Sequence, residues 1–160
     1  MKATLIAGLR CVLIGFALAG AALANTDRQT ADGMIVYLGV MPSEMIQGHP
    51  AEHPEGQMHG GAPAGRYQYH IVVALFDAVS GTRIAPAQVM AKVSKLGLSG
   101  IEKRLDSMDI AGTTSYGNYF RMPSVGLYRI EISIRRHGAA GAVRTTFDYQ
   151  HPWSAEYGSQ

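Results

Sequence analysis

The feature that most constrains this fold is the strict alternation of apolar and polar side chains from Tyr128 to Arg135. Successive side chains of a β-strand point to opposite faces, so the pattern predicts a strand with one buried and one solvated face. A second alternating segment, 143–149, follows a glycine-bounded turn at 138–141, which predicts a β-hairpin. The predicted core face carries Tyr128, Ile130, Ile132 and Ile134, and the predicted solvent face carries Arg129, Glu131 and Arg135.

Further strands are predicted where β-branched and aromatic residues lie between turn residues. These segments are 35–40, 67–76, 84–93, 101–105 and 116–122. We expect 84–93 to pair with 67–76, with Pro86 at an edge or entry position. Since no long stretch combines helical periodicity with caps, the predicted fold is all-β, an immunoglobulin-like antiparallel β-sandwich of about seven strands.

Residues 1–24 have the three parts of a secretory signal peptide: a basic start, an apolar core and an Ala-Leu-Ala cleavage site before Asn25. The apolar stretch is shorter than the roughly 20 residues that span a bilayer, so we expect no membrane span after cleavage. Residues 25–160 then form a single domain, periplasmic or secreted, with a tail at 151–160. Because Cys11 lies in the leader, the mature domain has no thiol.

The charge of the mature domain excludes one class of partner. Two of the 14 Lys and Arg residues lie in the leader, and the others are balanced by 12 Asp and Glu residues. A neutral exported domain lacks the basic surface that nucleic-acid binding requires. We therefore expect no nucleic-acid partner.

Residues 42–65 differ from the sequence on either side. They contain four prolines, five glycines and three glutamates, and no Phe, Tyr, Trp, Lys or Arg. Loops of this length are commonly functional or disordered. We interpret the segment as a long Met/His-rich loop that binds metal.

The candidate ligands in and beside this loop are Met41, Met45, His49, His53, Met58 and His59, all within 19 residues. Thioether sulfur selects Cu(I), and imidazole binds both Cu(I) and Cu(II). The nearby glutamates favour any cation through their field. His70, on the next predicted strand, could add a ligand from a rigid element.

Each of these residues also has a structural interpretation. Met41 could be a core methionine, His49 and His53 could be solvated loop residues, and His70 could be an ordinary strand histidine. Outside the loop we predict core positions for Met90, Met108 and Met122. We place His137 in a turn and His151 in the tail.

Enzymatic activity is not expected. Residues 49–53 match the H-x-x-E-H zinc-protease pattern, but that motif works on a helix, and Pro50 and Pro54 interrupt one. A blue-copper site needs a cysteine thiolate, which the mature chain lacks. The sequence also contains no nucleophile elbow and no phosphate-binding loop.

Residues 67–93 form a strand followed by Asp77, Gly81, Ile84, Ala87 and Val89, and a glycine-led strand with an early tyrosine follows at 126–132. These features resemble the YtkA-like and FixH-like exported domains. The resemblance implies an immunoglobulin-like sandwich, of a kind often found near copper-handling and oxidase-assembly systems. The Met/His loop is not part of the shared pattern. A fainter resemblance is to periplasmic proteins that support iron uptake.

The sequence therefore predicts a copper chaperone or buffer that holds Cu(I) in preference to other ions. It would exchange copper with a metal-donating or metal-receiving periplasmic or membrane protein. Two alternatives remain: an accessory protein of iron uptake, and an immunoglobulin-like interaction module that binds no metal. The sequence leaves the oligomeric state open.

Overall fold

Turn residues divide the chain into eight strands and one short helix in the computed structural model, which describes residues 27–47, 61–110 and 112–152. The strands are β1 (Arg28–Ala31), β2 (Met34–Pro42), β3 (Gln68–Asp77), β4 (Ala87–Lys95), β5 (Ile101–Ile110), β6 (Thr113–Arg121), β7 (Gly126–Arg136) and β8 (Val143–His151). The helix is α1 (Ser43–Gln47). No helix in the described parts of the chain is long and apolar enough to cross a membrane.

The strands form one continuous antiparallel sheet in the order β1-β2-β3-β6-β5-β4-β7-β8. The first half of β5 pairs with β4 and its second half with β6, so this strand passes from one layer to the other, a known way to make the corner of a sandwich. The two edge strands, β1 and β8, contact each other. The sheet thereby closes into a barrel-like sandwich, and the predicted all-β class is confirmed.

The apolar faces of both layers meet in one core. Its largest fully buried side chains include Met34, Ile71, Leu75, Leu105, Tyr116, Phe120, Met122 and Phe147. The alternation that was predicted for β7 is confirmed: Tyr128, Ile130, Ile132 and Ile134 are buried, whereas Arg129, Glu131 and Arg135 are exposed. The predicted hairpin of β7 and β8 is also confirmed.

The strand pairing differs from the prediction in one respect. β4, which contains most of the predicted strand 84–93, pairs with β5 and β7. β3 pairs instead with β2 and β6, and only an isolated bridge joins Phe76 to Arg83. The chain changes layers between β3 and β4. Period-2 alternation reports which face is buried and carries no information on the pairing partner.

The segment that we predicted as a loop at 42–65 begins as packed structure. Pro42 is the last residue of β2, and α1 follows directly. Helix α1 packs against β2 and β3, and its Ile46 side chain is buried. One apolar side chain in a short helix is too little for a periodicity signal, so the sequence pattern did not indicate this helix. β8 likewise extends to His151, the first residue of the predicted tail.

Candidate metal centre

His70 lies on the outward face of β3, between two other strands. Its neighbour in sequence, Ile71, packs in the core, so His70 must point to the opposite face. In register it lies opposite Met41 of β2 and Tyr119 of β6, and directly opposed residues share one face of a sheet. His70 is nevertheless only 2% exposed, whereas Met41 is 38% exposed. The row therefore runs from an accessible thioether to a buried imidazole.

The imidazole of His70 stacks on the ring of Tyr119, with the ring centroids 4.6 Å apart and the planes at 23°. Tyr119 is held in turn by Lys103, whose Nζ donates a hydrogen bond of 2.6 Å to its backbone oxygen. Both aromatic groups are buried. This stacking restricts the rotation of the imidazole, so its nitrogens are presented in a defined direction.

Gly117 of β6 brings a second donor atom to this histidine. A Cβ atom built on Gly117 would lie 2.7 Å from His70 Nε2, 3.0 Å from Met108 Sδ and 2.6 Å from Met108 Cε. Real side chains essentially never approach a Cβ atom below 3.0 Å. The imidazole nitrogen and the thioether sulfur can therefore converge on this position only because residue 117 has no side chain.

Met108 corrects one sequence prediction. We expected a core methionine, and the side chain is indeed buried, at 4% exposure. However, it lies outside the core cluster, on the same outward face of the sheet as its register partner Ser115. The residue type predicted only that Met108 is buried. The pairing of β5 with β6 decided on which face of the sheet its side chain lies. Met108 is the candidate ligand that sequence reasoning missed.

Two charged groups flank the His70–Met108 pair. Arg83 Nη2 donates a hydrogen bond of 3.1 Å to Ser115 Oγ, and its guanidinium lies 4.6 Å from the centroid of the Phe76 ring. Asp106 is opposite Gly117 in the β5–β6 register and is exposed. A cation and a carboxylate therefore border the pair on the same face.

The donor chemistry of this site is soft. Within residues 27–47, 61–110 and 112–152, no group of three His, Cys, Asp or Glu side chains is placed to hold a metal ion. The donor atoms that converge near Gly117 are a thioether sulfur and an imidazole nitrogen. These are uncharged ligands, and Met in particular selects the soft Cu(I) ion.

The predicted ligands have different positions in the structure. Met41 and His70 are brought opposite each other, as described above. Met45, on α1, is 65% exposed, which rules out the core as its environment. The remaining predicted ligands lie outside the described residues, and they are His49, His53, Met58 and His59.

His151 is a second buried histidine, but both of its ring nitrogens have partners. Nε2 is 2.7 Å from the hydroxyl oxygen of Tyr69, and Nδ1 is 3.2 Å from the backbone oxygen of Pro152. Burial holds the pKa of this imidazole below its ordinary value because it penalises the charged form. The residue therefore ties β8 to β3, and its lone pair is already engaged.

Solved structures of other proteins have folds similar to the fold of this domain. A copper-bound variant of FetP from uropathogenic Escherichia coli strain F11 has a TM-score of 0.54 at 15% identity, over 78% of this chain and 93% of that one. Copper-reconstituted P19 from Campylobacter jejuni has a TM-score of 0.58 at 11% identity, over 79% and 94%. A DUF4426 family protein from Pseudomonas aeruginosa PAO1 has a TM-score of 0.55 at 15% identity, over 78% of this chain and 96% of that one.

This chain shares their fold. No protein-family model matches the sequence, and no curated protein matches it either. Similarity at this level of identity establishes the arrangement of the strands. It leaves the ligands and the metal to be argued from the residues of this chain.

Proposed function

We propose that this protein is a periplasmic copper-binding protein that acts as a copper chaperone or buffer. The observation that carries the proposal is the convergence of His70 Nε2 and Met108 Sδ on the space above Gly117. The same fold in copper-bound FetP and P19 supports it. The signal-like leader supports a periplasmic location. In that oxidising compartment thioethers offer soft ligation, whereas thiolates would be oxidised to disulfides.

In this proposal, the inner part of the site consists of His70 and Met108. Met41, one strand away and partly exposed, is the third ligand. Met45 and the loop ligands His49, His53, Met58 and His59 form an outer set that collects copper and passes it inward. Ligand exchange suits this arrangement, since a soft ion can move between thioethers without leaving all of its ligands at once.

The preference for Cu(I) follows from the charge of the ligands. One imidazole and two thioethers contribute no negative charge, so a monovalent soft ion matches the inner site best. Asp106, opposite Gly117 in register, could supply the harder oxygen ligand that Cu(II) accepts. We therefore expect Asp106→Asn to leave Cu(I) affinity unchanged and to weaken Cu(II).

The decisive experiment is a competition titration of the chain from Asn25 against a calibrated Cu(I) chelator. Met108→Leu and His70→Gln should each weaken Cu(I) binding by at least tenfold, because each removes one ligand of the inner site. Met90→Leu and His137→Gln are the matched controls. Met90, which we predicted in the core, is instead half-buried on the outer face of β4, and His137 is exposed. If the control variants lose as much Cu(I) affinity as the ligand variants, the assignment of His70 and Met108 as ligands of the inner site is wrong.

The outer set is tested by replacing Met45 and Met58 together with leucine, which leaves Met41, Met108 and His70 in place. We expect this variant to keep Cu(I) affinity at the inner site near that of the parent and to exchange copper with a chelator more slowly, because the transfer ligands are missing. Parallel titrations with Cu(II), Fe and Zn(II) test which metal ion the protein prefers. Preferred binding of Fe would favour the accessory role in iron uptake, and no binding of any ion would favour an interaction module.

A further inference from the structure

A cavity of about 330 Å³ lies on the opposite layer of the sandwich, between β4, β5 and the turn after β7. Its lining includes three arginines, Arg104, Arg135 and Arg136, and one histidine, His137, and no acidic residue. A neighbouring cavity of the same volume shares Gln88, Arg104 and Arg135 with it. A site of this size is at the lower end for small-molecule ligands.

The arginines gather here because of strand register. On the outer face, Arg104 of β5 and Ser133 of β7 both lie opposite Met90 of β4. Arg135 lies opposite Gln88, one pair further along. Uncharged residues of β4 therefore lie between the two arginines, and both arginines are on the same face of the sheet.

Two acidic residues of this layer form ion pairs at its other end. Lys92 Nζ lies 3.9 Å from Glu131 Oε1, and Arg129 Nε lies 3.2 Å from Asp148 Oδ1. Within the part of the chain that the structure describes, the guanidinium of neither Arg104 nor Arg135 makes an ion pair. Asp106 follows on β5 but does not line the cavity. No carboxylate lines the cavity, although Glu102 and Asp106 lie two positions from Arg104 on β5.

Arg136 contributes less than the other two arginines. Hydrogen bonds from Ser80 and Val79 hold the pKa of Asp77 below its ordinary value, and the charge of Arg136 adds a smaller contribution. Arg136 also lines a separate cavity with Asp32. Its positive field is thus partly balanced by these two carboxylates. The turn beyond it, closed by a hydrogen bond of 3.1 Å from Ala139 N to Arg136 O, forms the rim of the cavity.

We propose that this cavity binds a small oxyanion with several negative charges, with Arg104 and Arg135 as its principal ligands. A planar guanidinium donates two parallel hydrogen bonds to a carboxylate or phosphate group. Two guanidiniums at one cavity therefore favour a ligand that carries at least two such anionic groups. His137 and Gln88 add further donors at the wall. The site is independent of the proposed copper centre, which lies on the other layer.

The test is calorimetric titration of the chain from Asn25 with citrate and, separately, with pyrophosphate. The two arms distinguish an oligocarboxylate from a phosphate ligand, and binding of either supports the proposal. Backbone amide shifts of Gln88 and Ser133 should move during the titration. Affinity should fall as ionic strength rises, because the attraction is electrostatic and the arginines are exposed to screening by salt.

R104Q/R135Q should weaken binding by about tenfold or more, the loss expected when charge-assisted hydrogen bonds are removed. R28Q/R121Q removes the same charge from exposed positions outside the cavity and should leave affinity within about twofold. The single variants R104Q and R135Q serve if the double variant does not fold. Equal losses in both double variants would overturn the proposal, as would the binding of neither anion at millimolar concentration. Binding of an acidic peptide alone would also overturn it.

Discussion

Replacing Gly117 with alanine tests the candidate metal centre and the packing around it at once. The new Cβ would lie 2.6 Å from Met108 Cε and 2.7 Å from His70 Nε2. Gly117 lies within β6 and has no positive φ, so its backbone accepts alanine and the conflict is steric. Met108 can move its flexible end. The imidazole of His70 cannot easily do so, because it is stacked on Tyr119.

The expected loss of stability is moderate. Overpacking of a filled site costs about 1–3 kcal/mol, and the smaller backbone entropy of alanine in the unfolded chain recovers about 0.4–1 kcal/mol. The free energy of unfolding of Gly117→Ala should therefore fall by about 1–2 kcal/mol. Because both donor atoms must shift, Cu(I) affinity should fall as well, by at least tenfold.

Gly39→Ala is the matched control. Gly39 lies on the neighbouring strand β2, and its Cβ would meet only Val72, with its Cβ and O atoms both at 3.9 Å, an ordinary contact. This variant should be as stable as the parent or slightly more stable, with unchanged Cu(I) affinity. Urea unfolding without metal and chelator competition give the two measurements. Equal behaviour of the two alanine variants would refute the convergence of His70 and Met108 on Gly117.

Three further predictions address the fold. Ile132→Ala should cost about 2–5 kcal/mol by leaving a cavity in the core, whereas Glu131→Ala should stay within about 0.5 kcal/mol in urea melts; similar losses would contradict the register of β7. Hydrogen bonds from Ser80 and the Val79 amide hold the pKa of Asp77 below its ordinary value, so the stability difference between the parent and Asp77→Asn should be present at neutral pH and shrink below about pH 4. An unchanged difference at pH 3 would contradict this. Replacing 48–60 by a short Gly/Ser linker, with α1 retained, should leave metal-free melting nearly unchanged and reduce the copper-induced rise in melting temperature; collapse of this variant would assign the segment to the fold.

The fold class was predictable because it depends on local pattern. Alternation from Tyr128 to Arg135 identified the buried face of β7, since a strand has a side-chain period of two whatever its partners are. The turn glycines before β8 predicted the hairpin for the same local reason. The pairing of β4 was not predictable, because alternation is equally satisfied by any partner that completes the core.

The candidate site was predictable only in its residue types. Composition pointed to thioether and imidazole ligands and singled out Met41 and His70 as uncertain between ligand and core. Neither Met108 nor Gly117 stands out in the sequence, and Met108 is 38 residues from His70. Only the pairing of β6 with both β3 and β5 brings them together.

The sequence by itself therefore determined the class of fold, the buried face of its clearest strand, and the soft donor chemistry of its candidate ligands. The tertiary structure decided which of those ligands meet. The physical reason is that side-chain direction and chemical type are local properties of a strand. The convergence of two donor atoms is instead a property of strand order and register, and here it also requires the absence of a side chain at Gly117.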